Sequence, residues 1–162
     1  MRKSKVKILL SALMMLCMVL SGLSVSAADD RLGEVVDGSV LTDEMYAEYG
    51  EPSKTKGTYL SSGSGSITNL GGRQVYIYGR TNCYRVSDEV RVTLTLQRLE
   101  GNSWVYVASV GPTSAYNTYT VSTEGTFTVA GGYYYRVKGT HAAIKGSTGE
   151  SCSSYSNGMW VN

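Results

Sequence analysis

A strict alternation of apolar and polar residues over residues 89–97 constrains this chain more than any other feature. Four apolar residues share one parity, and the residues between them are charged or polar. Side chains of a β-strand point alternately to opposite faces, so this pattern predicts a strand with one buried face. The apolar residues of that face are Val90, Val92, Leu94 and Leu96.

The chain from Gly57 onward is predicted to be an all-β domain. Short runs of β-branched and aromatic residues are separated there by Gly, Ser and Asn, without a helical period of useful length. Residues 89–110 are predicted to form a hairpin that turns at Gly101-Asn102-Ser103. We expect about eight or nine short strands in residues 57–162, arranged as an antiparallel two-sheet sandwich of the immunoglobulin-like or jelly-roll-like kind.

The first 27 residues are predicted to be a secretory signal peptide. Basic residues precede an apolar run from Ile8 to Leu20, and Val25-Ser26-Ala27 supplies small residues at a cleavage position. A retained membrane anchor is the alternative, but the run is shorter than the roughly 20 residues needed to span a bilayer. We therefore expect a secreted, extracellular protein without a membrane anchor, either released or loosely associated with the cell wall.

Removal of the signal changes the charge of the chain. Four of the 15 cations lie in residues 1–27, which leaves 11 cations against 13 acids. Residues 28–56 hold eight of those acids and three cations, and this segment is predicted to be an acidic, flexible leader. Two short apolar pieces in it, Val35-Val36 and Val40-Leu41, are candidates for a docked edge strand. The domain of residues 57–162 has no concentrated basic face, so no nucleic-acid partner is expected.

The segment 132–141 places three tyrosines, two cations and the only histidine in one predicted strand. Alternation assigns its residues to two faces. The residues expected in the core are Tyr133, Tyr135 and Val137. The residues expected at the surface are Tyr134, Arg136 and Lys138. Because a Gly-Gly turn precedes the strand, Tyr133 or Tyr135 is also a candidate for the corner tyrosine of Greek-key sandwiches, with a simple core aromatic as the alternative.

Exposed aromatic and basic side chains are the candidate binding residues. Tyrosine combines a flat apolar ring with a hydroxyl group, which suits sugars, peptides and partner proteins. The alternative is cross-strand stacking that only stabilises the sheet. The candidates are Tyr76, Tyr78, Tyr106, Tyr134, Arg136 and Lys138.

His141 and Glu150 are the best available acid/base pair. A histidine with a carboxylate partner can transfer protons near neutral pH, and the nine-residue separation spans a glycine-containing loop. The alternative is a structural hydrogen bond, which is favoured because no nucleophile motif accompanies the pair. No cofactor motif is present.

Cys83 and Cys152 are the two cysteines that remain after signal cleavage. An even pair in an exported chain predicts one disulfide, and two buried thiols are the alternative. A metal site is not expected, because two cysteines and one distant histidine lack the paired spacing of metal ligands.

Several short motifs identify a resemblance. They are Asp37-Gly38-Ser39-Val40-Leu41-Thr42, Gly57-Thr58-Tyr59-Leu60-Ser61-Ser62-Gly63 with Ile67-Thr68, Gly132-Tyr133-Tyr134-Tyr135-Arg136-Val137 with His141, Glu150-Ser151, and Gly158. With these motifs the chain resembles a family of small secreted proteins of Firmicutes, mainly Clostridia, that has no assigned function. The resemblance implies export from a Gram-positive cell and a small β domain, and it implies no substrate, cofactor or catalytic residue.

The leading functional hypothesis is a non-catalytic extracellular module that interacts with a surface, a glycan or another protein through its Tyr/Arg face. One alternative is a small secreted hydrolase that uses His141 and Glu150. Another is a bacteriocin-like or toxin-like effector, which small size and export permit. The oligomeric state is not predicted by the sequence.

Overall fold

The computed structural model describes residues 29–48, 53–54 and 57–162. Nearly all of them lie in β-strands, so the all-β prediction is confirmed. The predicted signal peptide, residues 1–27, lies outside the described residues. Within the described ranges, no helix is long and apolar enough to cross a membrane.

Ten strands follow a 3-10 turn at Asp29–Arg31. They are β1 (Val35–Val36), β2 (Ser39–Thr42), β3 (Tyr46–Glu48), β4 (Ser53–Lys54), β5 (Leu60–Gly71), β6 (Gln74–Glu100), β7 (Ser103–Thr128), β8 (Tyr133–Lys145), β9 (Thr148–Tyr155) and β10 (Gly158–Val161). They hydrogen-bond in the order β1-β2-β10-β8-β6-β5-β3, with β4 on β5, β7 on β6 and β9 on β8. All these pairs are antiparallel except β2 with β10, which is parallel.

Two long strands dominate the sheet. β6 has 27 residues and β7 has 26, and they form one hairpin that turns at Gly101, whose φ of 57° suits glycine. The predicted hairpin over residues 89–110 is confirmed by this pairing, in which Glu100 lies opposite Ser103. The sequence predicted several shorter strands here, because the glycines and polar residues within β6 and β7 read as turns. They instead lie inside continuous strands, and Gly79 and Gly125 belong to the regular part of the β6–β7 pairing.

The bend in β6 explains why two facing layers arise from one sheet. β6 pairs with β5 up to Cys83 and with β8 from Glu89 onward. Between these regions its register with β7 jumps from Asn82 to Ser87, so residues 83–86 have no partner on β7. Such an irregularity bends a strand and increases its twist. The sheet therefore curls into a half barrel.

The predicted two-sheet sandwich is not confirmed. The two layers that face each other across the core are the two halves of one hydrogen-bonded sheet, joined through β6. Thr81, in the first half of β6, donates a hydrogen bond across the bend to the carbonyl of Arg91 in the second half, at 2.9 Å. The strand pattern predicted an all-β domain but not the continuous strand that makes it one curled sheet.

The inner face of the half barrel forms the main core. The alternation over residues 89–97 is confirmed, because all four of its apolar side chains are fully buried. Each such side chain contributes roughly 1.5–3 kcal/mol on burial. The buried aliphatic residues of this core include Leu60, Ile67, Val75, Ile77, Val90, Val92, Leu94, Leu96 and Val137.

Tyr135 also belongs to this core. It is 1% exposed, and its hydroxyl donates to the carbonyl of Ala130 at 2.8 Å. A hydroxyl bonded to the backbone a few residues upstream is the contact that a corner tyrosine makes. Tyr133, which was also expected in the core, lies at the start of β8 and is 37% exposed, so that expectation was wrong.

A second, smaller core lies on the other side of the sheet. The acidic segment that was predicted to be a flexible leader contributes β1, β2, β3 and β4 to the sheet, and β2 pairs with β10. The predicted division of the chain at residue 57 stays a prediction. The residues of the second core are Val36, Leu41, Leu99 and Tyr134, with Trp104 and Trp160 packed against them.

Arg136 holds this leader against the sheet. It is 2% exposed, and its Nε donates to Gln97 Oε1 at 3.0 Å. Its two terminal nitrogens reach the carbonyl of Asp37 at 3.1 Å, Ser39 Oγ at 3.0 Å and Asp37 Oδ2 at 2.7 Å. The guanidinium carbon also lies 4.5 Å from the ring centroid of Trp104 and 4.7 Å from that of Tyr155.

The expected surface positions of Tyr134 and Arg136 were therefore wrong. Alternation assigned both side chains correctly to the outer face of β8. That face is not solvent-exposed at these two positions, because β1, β2 and the turn between them cover it. Polar residues on a predicted outer face can be buried when a distant segment supplies their partners.

We expect Arg136→Met to detach the leader and lower the free energy of unfolding by about 2 kcal/mol or more. The substitution keeps much of the apolar volume but removes hydrogen bonds to a charged donor. Urea unfolding measures the loss, and limited proteolysis within residues 29–48 reports detachment. Arg85→Met is the matched control, since Arg85 is exposed. Equal stability of the two variants would contradict the role of Arg136.

Candidate functional site

The single histidine lies at the centre of a buried polar network. His141 on β8 is 0% exposed and contacts two hydroxyl groups. Its Nδ1 lies 2.8 Å from Thr81 Oγ1 on β6, and its Nε2 lies 2.8 Å from Ser154 Oγ on β9. The network thus connects three strands across the half barrel.

The hydrogen bonds assign the tautomer of His141. Thr81 Oγ1 donates its proton to the carbonyl of Arg91, so it can only accept a proton from His141 Nδ1. Nε2 is then unprotonated and accepts from the hydroxyl of Ser154. A serine hydroxyl bonded to a histidine Nε2 resembles half of a catalytic triad. Here, however, a threonine occupies the place of the orienting acid, and both partners are buried.

Burial also determines the charge of His141. Desolvation lowers its pKa from 6.5 to about 4, so the imidazole is neutral at neutral pH. A neutral ring matches the network, because its one N–H donates to Thr81 Oγ1 and its unprotonated Nε2 accepts from the Ser154 hydroxyl. The network is therefore a satisfied structural element at neutral pH.

Glu150 has different partners. Its carboxylate accepts backbone N–H bonds from Thr58 at 2.8 Å, Tyr59 at 3.0 Å and Leu60 at 2.7 Å. These bonds lower the pKa of the Glu150 carboxyl, and the bond from the Leu60 N–H has the largest effect. Glu150 thus ties the entry of β5 to β9, and His141 ties β8 to β6 and β9. The two predicted acid/base residues bind separate groups, which favours the structural alternative.

Both cysteines are thiols in this structure, so the predicted disulfide is absent. Cys83 lies opposite Leu60 on β5, and Cys152 lies opposite His141 on β8, so neither is the cross-strand neighbour of the other. Desolvation raises the pKa of both thiols, which keeps them protonated and poorly nucleophilic. Among the described residues, no group of three or more His, Cys, Asp or Glu side chains could hold a metal ion.

Tyr76 and Tyr78 lie together on the outer face of β6. Through the register of β3, β5 and β6, Tyr46 lies in the same cross-strand row as Tyr76, with Thr68 between them. The Tyr76 hydroxyl donates to Glu124 Oε2 at 2.5 Å, and this bond raises the pKa of Tyr76. Tyr76 and Tyr78 are partly covered, and Tyr76 is already hydrogen-bonded, as expected for tyrosines that stabilise the sheet by cross-strand contacts.

The other predicted binding residues are scattered. Tyr106 is 66% exposed and lies opposite Gln97, far along β6 from Tyr76 and Tyr78. Tyr134 packs edge-on against Trp160, with ring centroids 4.9 Å apart. Lys138 is half-buried, and its ammonium lies 5.8 Å from the ring centroid of Tyr155. The structure therefore brings Tyr76 and Tyr78 together, and it separates Tyr106 and Tyr134 from them.

The sequence analysis missed a cluster of exposed residues at the bend of β6. Four large side chains there are between 50% and 68% exposed. Two come from residues 83–86 of β6, and two come from the part of β7 that runs alongside. We call them the bend patch: Tyr84, Val86, Tyr116 and Tyr119.

A signal for the bend patch exists in the sequence. Tyr116 and Tyr119 are three residues apart, which breaks the two-residue period of a strand, and Asn117 between them has a φ of 50°. Asparagine tolerates this left-handed conformation better than most residues. The pattern Tyr-Asn-Thr-Tyr therefore marks an irregular strand with aromatic side chains that alternation does not direct inward.

The fold and the site together define a small all-β domain whose histidine is structural and whose exposed residues are rich in tyrosine. The chain belongs to a family of unknown function, DUF6147, whose model matches residues 29–159. This match begins at Asp29 and so includes β1, β2 and β3. No curated protein and no solved structure matches the chain. The bacterial origin and the motif of the predicted family stay predictions.

We expect the imidazole of His141 to titrate near pH 4. Because the chain has one histidine, its ring protons in an untagged protein report this pKa directly by NMR. The pKa lies below that of the unfolded chain, near 6.5, so protonation favours unfolding. Stability should therefore be complete above pH 6.5 and fall as the pH drops toward 4. Titration near 6.5 in the folded state would contradict the buried network.

Gly63 leaves room for the histidine ring, and we expect Gly63→Ala to be destabilising. A Cβ at Gly63 would overlap the imidazole of His141, which is packed in the core. Overpacking of this kind costs typically about 1–3 kcal/mol. Gly149→Ala is the control, because a Cβ there meets no atom within 4 Å. Thermal or urea unfolding compares the two, and similar stabilities would show that the ring is not tightly enclosed.

Proposed function

We propose that this protein is an exported, non-catalytic module that binds a glycan of an extracellular surface through the bend patch. The observation that carries the proposal is the concentration of exposed tyrosines at the irregular site where β6 bends. Exposed aromatic side chains that cluster, rather than occur singly, are typical of interaction sites.

A charged rim beside Tyr116 supports a polar ligand such as a glycan. Glu89 lies opposite Tyr116 and accepts two bonds from Arg91, at 2.6 and 2.7 Å. Hydrogen bonds to the carboxylate lower the pKa of Glu89 to about 2. The bond from Arg91 has the largest effect, and the bond from Ser114 the next largest. An ionised carboxylate and a guanidinium can bond sugar hydroxyls, and the tyrosine rings can cover the apolar face of the sugar ring.

Export is part of the proposal and is supported by the sequence alone. The basic residues, apolar run and small residues of positions 1–27 have the order of a cleavable secretory signal. A domain that is exported without an anchor and binds a glycan would be retained at the cell wall by that binding. Its localisation would then be extracellular, with noncovalent wall association.

The hydrolase alternative is less well supported. His141 is 0% exposed, and both of its ring nitrogens are engaged by Thr81 and Ser154. A general base must reach the proton that it removes from a substrate. Glu150 is held by the backbone of residues 58–60, so it does not supply a second group beside the histidine. No structural observation in the described residues favours the effector hypothesis over the binding module.

We expect the double variant Tyr84→Ala/Tyr116→Ala to lose binding to isolated cell-wall polysaccharide by at least tenfold. Removal of exposed aromatic anchors at an interface commonly costs more than 1 kcal/mol each, and 1.4 kcal/mol corresponds to tenfold. Pull-down with insoluble wall fractions, followed by titration against soluble glycans, measures the change. Circular dichroism confirms that the variant is folded.

Tyr106→Ala is the matched control for this experiment. Tyr106 is as exposed as the tyrosines of the bend patch but lies on a different part of β7. Its loss should leave glycan binding unchanged. Equal weakening by both substitutions, or no binding of the native protein to any wall or glycan preparation, would contradict the proposal. Capture of a protein ligand through the bend patch would instead assign the patch to protein recognition.

A further inference from the structure

The outer edge of β7 is the longest free strand edge in the described part of the chain. β7 extends over 26 residues, and β6 is its one partner among the described strands. In an antiparallel sheet, about half of the N–H and C=O groups of an edge strand point away from the sheet. β7 therefore presents a long row of backbone donors and acceptors to solvent.

This edge lacks two of the features by which proteins usually prevent strand addition, and its proline, Pro112, lies outside the regular part described below. Monomeric sheets protect their edges with short strands or with charged residues, lysine in particular. The other edge strands are shorter: β1 has two residues, β3 has three and β9 has eight. β7 contains no Lys or Arg, and Glu124 is its one charged residue.

The regular part of β7 is its C-terminal third. Thr120–Thr128 pairs residue by residue with Gln74–Asn82, without a register shift. Irregularities near Gly111 and Asn117 interrupt the strand before this part. A regular and nearly uncharged edge is the one most able to accept another strand.

We infer that this edge pairs with the same edge of a second copy of the chain, in antiparallel orientation about a two-fold axis. Such an isologous contact satisfies both free edges at once and closes, so it gives a dimer and not a fibre. The two strands match in length, and 21 residues of β7 before Glu124 carry no charge that would oppose the pairing.

Glu124 restricts the register of this pairing. Like charges placed directly opposite each other on neighbouring strands are destabilising, so an axis at Glu124 is disfavoured. An axis at Ser122 places Glu124 opposite Thr120 of the second copy. Residues 120–124 of the two copies then pair with each other, and all of them belong to the regular part of β7. Ser122 is exposed, so its side chain is available at such an axis. The inference does not depend on the proposed glycan binding.

Light scattering after size exclusion tests the dimer with the native protein, which should have twice the mass of one mature chain. Ser122→Cys should then form an intermolecular disulfide under mild oxidation, because the two introduced cysteines face each other across the axis. Thr128→Cys is the matched control. It lies six residues from the axis, so its two copies are roughly 40 Å apart at about 3.4 Å per residue and should not cross-link.

Ser122→Lys provides the complementary test, because two opposed lysines should convert the dimer to a folded monomer, as checked by circular dichroism. A native protein that stays monomeric at millimolar concentration would overturn the inference. So would a dimer in which Ser122→Cys cross-links no more than Thr128→Cys, or in which Ser122→Lys leaves the mass unchanged. The native protein under the same oxidation controls for its own two cysteines.

Discussion

The shared strand β6 is the constraint on which the rest of the structure depends. Its first half pairs with β5, its second half pairs with β8, and β7 follows it along both halves. β6 bends between Asn82 and Ser87. The buried side chains of β6 have odd numbers from Val75 to Ser87 and even numbers from Val90 to Leu96, so the alternation is interrupted once where the two halves meet. The polar network at His141 and the exposed bend patch both result from this bend, the first inside the curl and the second outside it.

Arg136 explains why motifs far apart in the sequence belong to one structural unit. Its guanidinium joins Asp37 and Ser39, which precede it by about a hundred residues. The Asp37-Gly38-Ser39 motif and the Tyr135-Arg136-Val137 motif thus contact each other in the folded chain. The family model includes both. Because a buried cation needs a full set of hydrogen-bond partners, this contact alone explains why the two motifs occur together. No ligand is needed to explain them.

The sequence predicted what depends on local alternation and missed what depends on distant partners. Val90, Val92, Leu94 and Leu96 are buried as predicted, because strand geometry alone directs them inward. The surface assignment of Tyr134 and Arg136 failed because the covering segment is remote in the chain. The bend patch was missed because residues 83–86 depart from the two-residue period. The partners of Glu150 were missed because they are backbone N–H groups of residues 58–60, far away in the sequence.

The parallel pairing of β2 with β10 has a consequence for how the chain acquires its structure. In this pairing Gly158 of β10 lies opposite Leu41 of β2. Beside it, Ser39 Oγ donates to the carbonyl of Ser156, which is 117 residues away. Contacts between such distant positions form slowly, since a long loop must close first. The second core therefore cannot assemble before β10 has been synthesised, and a variant without β10 would lose the seam that joins it to β2.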